Sequence, residues 1–183
     1  MDVVDMIMDD HREVERLFEQ LKQHPEKRPL LTPTLAMLLT AHSRAEEAEV
    51  YPVAREEAGE TDEVKHSQQE HAEAEQLLKR LTETDPESRR FDDVLTELVK
   101  SVTHHVKEEE STVLPGMRRH MDAARLAELG RKFAASRAAH LGDRPGEASR
   151  EELAAQARNM GLSGASTMSK EELAKRLAKS ATR

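Results

Sequence analysis

The chain of 183 residues contains no cysteine and no tryptophan, and aromatic residues make up only 2% of it. Without cysteine there are no disulfides and no thiolate ligands, so histidine, aspartate and glutamate are the only strong metal donors. The scarcity of aromatic residues means that leucine, valine, alanine and methionine on amphipathic helices have to form the core. With only seven glycines and few β-branched runs, the composition predicts an all-α protein.

Long apolar runs are missing as well. No stretch approaches the roughly 18 apolar residues that a membrane span needs. Residues 1–5 are acidic and lack the basic and apolar regions of a signal peptide. A reducing compartment also suits a chain without cysteine, so we expect a cytoplasmic protein with no membrane partner.

Charge divides the chain into two parts. Residues 1–143 hold 20 basic and 31 acidic residues, a net charge of −11, whereas residues 144–183 hold 8 and 5, a net charge of +3. The turn-rich stretch 142–146 has the composition of a linker. This asymmetry predicts two modules with different partners, at residues 1–141 and 147–181.

Hydrophobic periodicity predicts four helices in the first module. The second is expected to begin with Thr32 as N-cap and Pro33 at the first helical position, with a seam that continues through Glu46, Glu49 and Val53. The third starts near Thr61, and residues 85–87 cap the fourth. A fifth amphipathic segment, from residue 122 to about residue 140, is expected on the outside of the bundle.

The sequence nearly repeats itself, and histidines occupy the matched positions. Segments 42–52 and 105–115 each contain His-x-x-x-Glu and a proline ten residues after the histidine. Segments 11–21 and 71–81 each open on a histidine, with two glutamates and an apolar pair aligned. Six of these side chains fall on the core-facing seams of the predicted helices: His11, His42, Glu46, His71, His105 and Glu109.

Burying these imidazoles and carboxylates without compensation would cost several kcal/mol, and bound cations remove that penalty. The spacing alone is weak, because His-x-x-x-Glu is common in a helical protein so rich in glutamate. Four seam histidines on four helices, with two seam glutamates in matched repeats, nevertheless favour a two-metal site. Histidine and glutamate without cysteine suit iron or manganese, and zinc fits them too.

The other histidines are expected outside this site. His66 is five residues from His71, about 140° round the helix, which predicts a rim or solvent position. His104 lies one step off the seam and is expected behind the site or exposed, and loop or surface positions are expected for His24, His120 and His140. For Tyr51, packing near Pro52 is favoured over a hydrogen bond at the mouth of the site.

The motifs of residues 1–140 resemble those of the hemerythrin-like family, also called HHE cation-binding domains. The resemblance rests on Asp10-His11, His42-x-x-x-Glu46 with Tyr51-Pro52, Glu70-His71, and His105-x-x-x-Glu109 with Leu114-Pro115. It implies an up-down-up-down four-helix bundle, here with an added helix and a C-terminal helical hairpin. It further implies two non-haem iron ions with oxo, hydroxo or carboxylate bridges, terminal histidine ligands, and Glu46 and Glu109 as bridging carboxylates.

This chain departs from the oxygen-carrying members of that family, which have two histidines one turn apart on the third helix and an aspartate as the fourth-helix carboxylate. Six protein ligands shared by two iron ions leave coordination positions on the ions open to a small oxidant such as hydrogen peroxide, dioxygen or nitric oxide. Because some bacterial members resemble catalases, the resemblance implies peroxide decomposition in defence against oxidative stress. The alternative is a protein that senses oxygen, nitric oxide or iron without turnover.

The C-terminal segment has two capping boxes, Ser149 to Glu152 and Ser169 to Glu172, that predict two short helices. Residues 147–181 resemble the SAP and Rho N-terminal-like modules through Gly161-Leu162-Ser163-Gly164 and the residues around Ser169. Such modules often bind nucleic acid, which implies weak nucleic-acid binding here. A solvated helical hairpin without a nucleic-acid partner is the open alternative, because no aromatic residue is available for base stacking.

Overall fold

The computed structural model describes residues 1–181, and over that range the chain is helical, without a β-strand. Thr182 and Arg183, the end of the basic segment, lie outside the described residues. Two 3₁₀ turns, Pro25–Lys27 and Ala165–Thr167, and one π-helical turn, Glu46–Val50, connect the α-helices. The α-helices of this range are α1 (Val3–Gln23), α2 (Arg28–Ala45), α3 (Tyr51–Glu57), α4 (Thr61–Thr82), α5 (Arg89–Ser111), α6 (Val113–His120), α7 (Ala123–Ala139), α8 (Arg150–Asn159) and α9 (Lys170–Ala181).

Helices α1, α2, α4 and α5 form an up-down-up-down bundle, as expected. Helix α7 packs against α1 and α2, and α8 pairs with α9 as the C-terminal hairpin. The hairpin also touches the bundle, because α8 lies against α4 and the π-helical turn. None of the helices within residues 1–181 combines the length and the apolar character needed to cross a membrane.

Helix starts follow capping chemistry at several points. The Asp2 carboxylate accepts a hydrogen bond of 2.9 Å from the backbone N–H of Asp5, and Asp122 caps α7 in the same way. The N-cap of α5 is Ser88, one residue after the predicted cap at residues 85–87, and the helix begins at Arg89. Both predicted capping boxes of the C-terminal hairpin form, at the starts of α8 and α9.

The predicted start of the second helix is wrong. Helix α2 begins at Arg28, with Pro29 in its first turn and Thr32 buried inside the helix. Pro29 satisfies the preference for proline at a helix start, because the first N–H groups have no intrahelical partner. Pro33 lies within the helix and removes only the bond to the carbonyl of Pro29 in the first turn, so the helix continues through it.

The bundle core is divided by a polar layer. An apolar cluster on one side contains Val14 to Leu21 of α1 and Phe91 to Val106 of α5, together with parts of α2 and α4. A second cluster on the other side contains Val3 to Ile7 of α1, and Tyr51 and Phe133. Helices α1, α2 and α4 therefore pass from one apolar cluster to the other, and α5 is continued into the second cluster by α6. The histidine of each bundle helix lies at the boundary.

The π-helical turn changes which residues face inward after Glu46. The prediction that Glu49 and Val53 continue the seam is wrong, since Val50 and Ala54 are the fully buried positions. A π-helical turn adds one residue to the helix, so the register of everything after it shifts by one. The shift brings Tyr51 into the core.

Candidate metal centre

The six seam residues predicted from the sequence meet in the polar layer between the two apolar clusters. Their side chains come from α1, α2, the π-helical turn, α4 and α5. The histidines are at most 6% exposed, and both glutamates are completely buried. The residues brought together are His11, His42, Glu46, His71, His105 and Glu109.

Glu46 lies between a histidine of α2 and a histidine of α4. Its Oε2 atom is 3.2 Å from Nε2 of His42 and 3.2 Å from Nε2 of His71. The single carboxylate therefore faces two imidazoles that belong to different helices. This is the position of a group that can bridge two cations.

Glu109 occupies the equivalent position in the second half of the bundle. Its Oε2 atom is 3.3 Å from Nε2 of His11 and 3.8 Å from Nε2 of His105. The imidazoles form two pairs, with ring centroids 5.2 Å apart for His11 and His42 and 4.6 Å apart for His71 and His105. Each glutamate thus connects the two pairs, which gives the site an approximate two-fold symmetry.

Carboxylates hold the outer nitrogen of every one of these rings. Asp10 Oδ2 is 3.0 Å from Nδ1 of His42, and Glu47 Oε1 is 3.2 Å from Nδ1 of His71. A carboxylate can only accept a hydrogen bond, so Nδ1 carries the hydrogen and Nε2 points into the site. Such pairs fix the orientation and tautomer of metal-binding histidines.

The other two rings are held in the same way. Glu70 Oε2 is 2.9 Å from Nδ1 of His105, and Glu110 Oε1 is 2.9 Å from Nδ1 of His11. The orienting carboxylates obey the sequence repeat, because each is the immediate neighbour of a seam residue on its own helix. Their histidine partners are always on another helix. The repeat could have identified these four carboxylates, but it could not have paired them.

Burial and neighbouring carboxylates set the protonation of the layer. Burial opposes the charged form of His42, but Glu46 and Asp10 outweigh it and raise its pKa to about 10. Burial likewise opposes the charging of His71, whose pKa Glu46 and Glu47 raise to about 9. Burial raises the pKa of Glu47, but the His71 imidazole and the Arg44 guanidinium outweigh it and lower that pKa to about 2. Without a metal, imidazolium and carboxylate groups therefore neutralise each other.

The residues of the layer fit a bound cation. Nε2 of His11 and of His42, and both carboxylate oxygens of Glu46 and of Glu109, have no hydrogen-bond partner among residues 1–181. The imidazole–carboxylate distances are those of ion pairs, but their geometry is not that of hydrogen bonds. Leaving so many buried polar atoms unpaired is costly, and a cation among nitrogen and oxygen donors would coordinate these atoms.

Tyr51 belongs to the site, contrary to the prediction that it only packs near Pro52. Its hydroxyl oxygen is 2.9 Å from Nε2 of His71, and the side chain is completely buried. Burial and then the nearby Glu109 raise the pKa of Tyr51 well above its ordinary value, so the hydroxyl keeps its proton. The matching position in the second repeat is Leu114, so only one half of the site has a phenol.

A small cavity of about 20 Å³ lies among the histidines. A cavity of about 10–15 Å³ is enough for one water molecule, so this space admits one very small molecule. Side chains that are apolar except for Ser43 complete its wall. The lining comprises His11, His42, His71 and His105 with Val14, Leu39, Ser43, Ala74, Val102 and Val106.

Helix α7 closes the site on the side of His42. The ring of Phe133 meets the ring of His42 edge-on at 5.8 Å between centroids, and Phe133 is completely buried. Arg137 pairs with Asp10, the carboxylate that orients His42. The fifth segment was expected outside the bundle, but it contributes directly to the wall of the polar layer.

The C-terminal hairpin reaches the orienting carboxylate of His71. Glu47 Oε2 accepts a hydrogen bond of 3.0 Å from Gln156 Nε2. Asn159 Nδ2 donates to the Glu47 carbonyl at 2.9 Å and to Gln68 Oε1 at 3.1 Å. Both α8 side chains are buried. This connection could not be predicted from local sequence patterns, because it depends on how α8 docks on the bundle.

The fold and this layer define a cation-binding helical bundle. The chain belongs to the hemerythrin family, because the model of the Hemerythrin HHE cation binding domain matches residues 2–116. It is a metal-binding, hemerythrin-like protein. This confirms the resemblance stated for the first module.

Two individual proteins are similar to the chain. A DNA nickase of Nostoc sp. (strain PCC 7120) is 31% identical over 139 residues, which is 75% of this chain and 39% of the nickase. The chain thus spans well under half of that relative. The crystal structure of a Hemerythrin HHE cation binding domain-containing protein from Mycobacterium kansasii has 23% identity and a TM-score of 0.69, over 87% of this chain and 99% of that one. At this identity the second similarity concerns the fold alone.

Proposed function

We propose that the polar layer holds two iron ions. One ion would lie between His11 and His42 and the other between His71 and His105. Glu46 and Glu109 would bridge them, because each carboxylate faces one imidazole of either pair. The buried, unpaired donor atoms support this assignment, and the nitrogen and oxygen donor set suits iron.

We propose further that the centre decomposes hydrogen peroxide, two molecules giving two of water and one of dioxygen. A bound di-iron pair supplies a two-electron redox couple, which matches the electrons exchanged in each half of this reaction. The observation that carries the proposal is the small cavity of about 20 Å³ against all four imidazoles, whose size limits visitors to very small molecules. The apolar clusters on both sides keep larger reductants and bulk water away.

Tyr51 is the residue we assign to proton handling. Its hydroxyl keeps its proton because burial raises its pKa, and the oxygen lies 2.9 Å from Nε2 of His71. The hydroxyl can therefore donate a hydrogen bond to a small oxidant that enters beside His71. Orientation of His71 comes from Glu47.

Oxygen evolution from peroxide tests the enzymatic proposal. Iron-loaded protein should evolve oxygen faster than the same concentration of free iron and faster than a His71→Ala variant. Circular dichroism and elemental analysis should accompany each sample, so that loss of fold or of iron is recognised. If the wild type does no better than free iron, peroxide decomposition is not its activity.

A sensor without turnover is the second candidate, and one observation favours it. Glu47 contacts His71 through one carboxylate oxygen and Gln156 of the C-terminal hairpin through the other. A change at His71 therefore has a direct route to α8. Reversible binding of dioxygen or nitric oxide, with a spectral change and no oxygen evolution from peroxide, would identify this function instead.

We also propose that residues 147–181 act as a module separate from the bundle at 1–141, with weak affinity for nucleic acid in the cytoplasm. The net charge of +3 in residues 144–183 and the similarity to a protein named as a DNA nickase support a nucleic-acid partner. The full chain should then slow the electrophoretic migration of DNA or RNA at low salt. A chain ending at residue 143 should not, since its net charge of −11 repels phosphates.

A further inference from the structure

A second group of metal-binding side chains lies outside the polar layer, on the exposed faces of α4 and α5. His66 and Glu70 are one helical turn apart on α4, and His104 and Glu108 are one turn apart on α5. Their nearest donor atoms all lie within 4.8 Å of one another. The two histidines are 52% and 58% exposed, as the sequence predicted, so the group is open to solvent. We call it the outer cluster.

Two imidazoles of the outer cluster converge on one carboxylate oxygen. Glu70 Oε1 is 3.4 Å from Nε2 of His66 and 3.3 Å from Nε2 of His104. Glu108 faces the same two nitrogens, with Oε2 2.9 Å from His66 and Oε1 3.3 Å from His104. Each carboxylate therefore faces both histidines, Glu70 through one oxygen and Glu108 through a different oxygen for each ring.

Glu70 supplies a second, independent indication of a ligand. The residue is only 7% exposed, and its Oε1 atom has no hydrogen-bond partner among residues 1–181. Its other oxygen is occupied by Nδ1 of His105 at 2.9 Å. A buried carboxylate oxygen that is aimed at two imidazoles without a hydrogen bond to either lacks the partner that its burial demands.

Ordinary ion pairs account for this arrangement less well. Ion pairs alone leave Glu70 Oε1 buried without a hydrogen bond, although it lies 3.4 and 3.3 Å from two imidazole nitrogens. One divalent cation neutralises both carboxylates and coordinates the Nε2 atom of each imidazole. It also coordinates Glu70 Oε1.

The distances fit a tetrahedral cation. Zinc with nitrogen and oxygen ligands at about 2.0–2.2 Å separates neighbouring ligand atoms by about 3.3–3.6 Å. Three of the four distances between the imidazole nitrogens and carboxylate oxygens are 3.3 or 3.4 Å, and the fourth is 2.9 Å.

We propose that His66, Glu70, His104 and Glu108 form a second metal site, which binds one divalent transition-metal cation of the zinc type on the surface of α4 and α5. This site is separate from the proposed di-iron layer and does not depend on the identity of the metal there. The two are adjacent through Glu70, which orients His105 with one oxygen and faces the outer cluster with the other.

Equilibrium zinc binding to the full chain provides the test. Wild type, a His66→Ala/His104→Ala variant and a matched His24→Ala/His120→Ala control are equilibrated at the same buffered free Zn²⁺, desalted and analysed for bound metal. Because all four substitutions are at solvent-accessible histidines, the fold should be retained, which circular dichroism checks. The His66/His104 variant should bind one zinc fewer per chain than both the wild type and the control. Equal zinc content in all three overturns the proposal.

The absorption spectrum with bound cobalt gives a second measurement, which would not change if His104 had only a structural role. Replacing His104 with cysteine keeps a zinc-type donor at the position, so the His104→Cys variant should recover the lost equivalent of metal. With Co²⁺ it should also show a thiolate-to-cobalt charge-transfer band in the near ultraviolet. If the cysteine variant binds no more metal than the alanine variant and shows no such band, the residue is not a ligand.

Discussion

Metal binding in the polar layer should release protons, and the number of protons released follows from the protonation of two histidines. In the metal-free chain His42 has a pKa of about 10 and His71 of about 9, after the carboxylates overcome the opposing effect of burial. Both rings are therefore protonated at neutral pH. A metal needs their neutral Nε2 atoms, so it has to displace one proton from each ring.

The pH dependence of metal affinity is simplest to interpret between about pH 7.5 and pH 8.5. This range lies above the ordinary histidine pKa of about 6.5 and below the raised values of His42 and His71. Two displaced protons make the apparent affinity for metal rise about 100-fold across one pH unit, which is about 2.7 kcal/mol at about 1.36 kcal/mol per proton and pH unit. Protonation of His42 and His71 also stabilises the metal-free fold. This contribution is complete below about pH 6.5 and is lost as pH rises through their folded-state pKa values of about 9 and about 10. Stabilisation by metal should therefore grow with pH.

Proton release can be measured directly with an indicator dye in weakly buffered solution, as Fe²⁺ is added anaerobically. The His66→Ala/His104→Ala variant is the right starting protein, because it removes the outer cluster from the count. Asp10→Asn should release fewer protons, since it removes a carboxylate that keeps His42 charged, whereas the exposed Asp9→Asn should match its parent. Metal uptake with less than one proton released, and an affinity that does not change with pH, would refute this account.

Three substitutions test other parts of the layer. Glu46→Ala should lower iron content far more than His24→Ala, because the first removes a completely buried bridging group and the second an exposed side chain; elemental analysis decides this. Tyr51→Phe should keep the iron but slow oxygen evolution by roughly tenfold, the worth of one hydrogen bond; an unchanged rate removes Tyr51 from proton handling. Glu47→Gln should weaken metal binding by roughly 10–100-fold, as the loss of an orienting carboxylate does, while Glu49→Gln serves as its control in the same titration.

The six seam residues could be predicted because their positions depend on the local helical period. A histidine where an apolar residue belongs is visible in the sequence, and the internal repeat multiplies the signal. Tyr51 could not be placed in the same way, because the π-helical turn at Glu46–Val50 shifts the register by one residue. That turn depends on how its backbone fits around the polar layer, which no local pattern records.

Contacts between helices were the other part that the sequence could not provide. His66 was expected at the rim or in solvent, and His104 behind the site or exposed; both side chains are exposed. Their convergence on Glu70 depends on the register of α4 against α5, which is set by packing along the whole helix pair. Likewise Asp10 is next to His11 in the chain but orients His42, and the sequence alone suggests no such exchange.

The two histidine pairs of the polar layer have the same arrangement of ligands but different surroundings. On the side of His42, Phe133 and the pair of Asp10 with Arg137 close the wall. On the side of His71, the ring meets the Tyr51 hydroxyl, and its orienting Glu47 contacts the C-terminal hairpin.

His105, the partner of His71, is held by Glu70, which also faces the outer cluster. The Tyr51 hydroxyl and the carboxylates that connect the polar layer to the C-terminal hairpin and to the outer cluster are therefore all at the His71 and His105 pair. Because the Tyr51 hydroxyl beside His71 is the hydrogen-bond donor that we assign to the oxidant, we expect a small oxidant to bind at this pair rather than at His11 and His42.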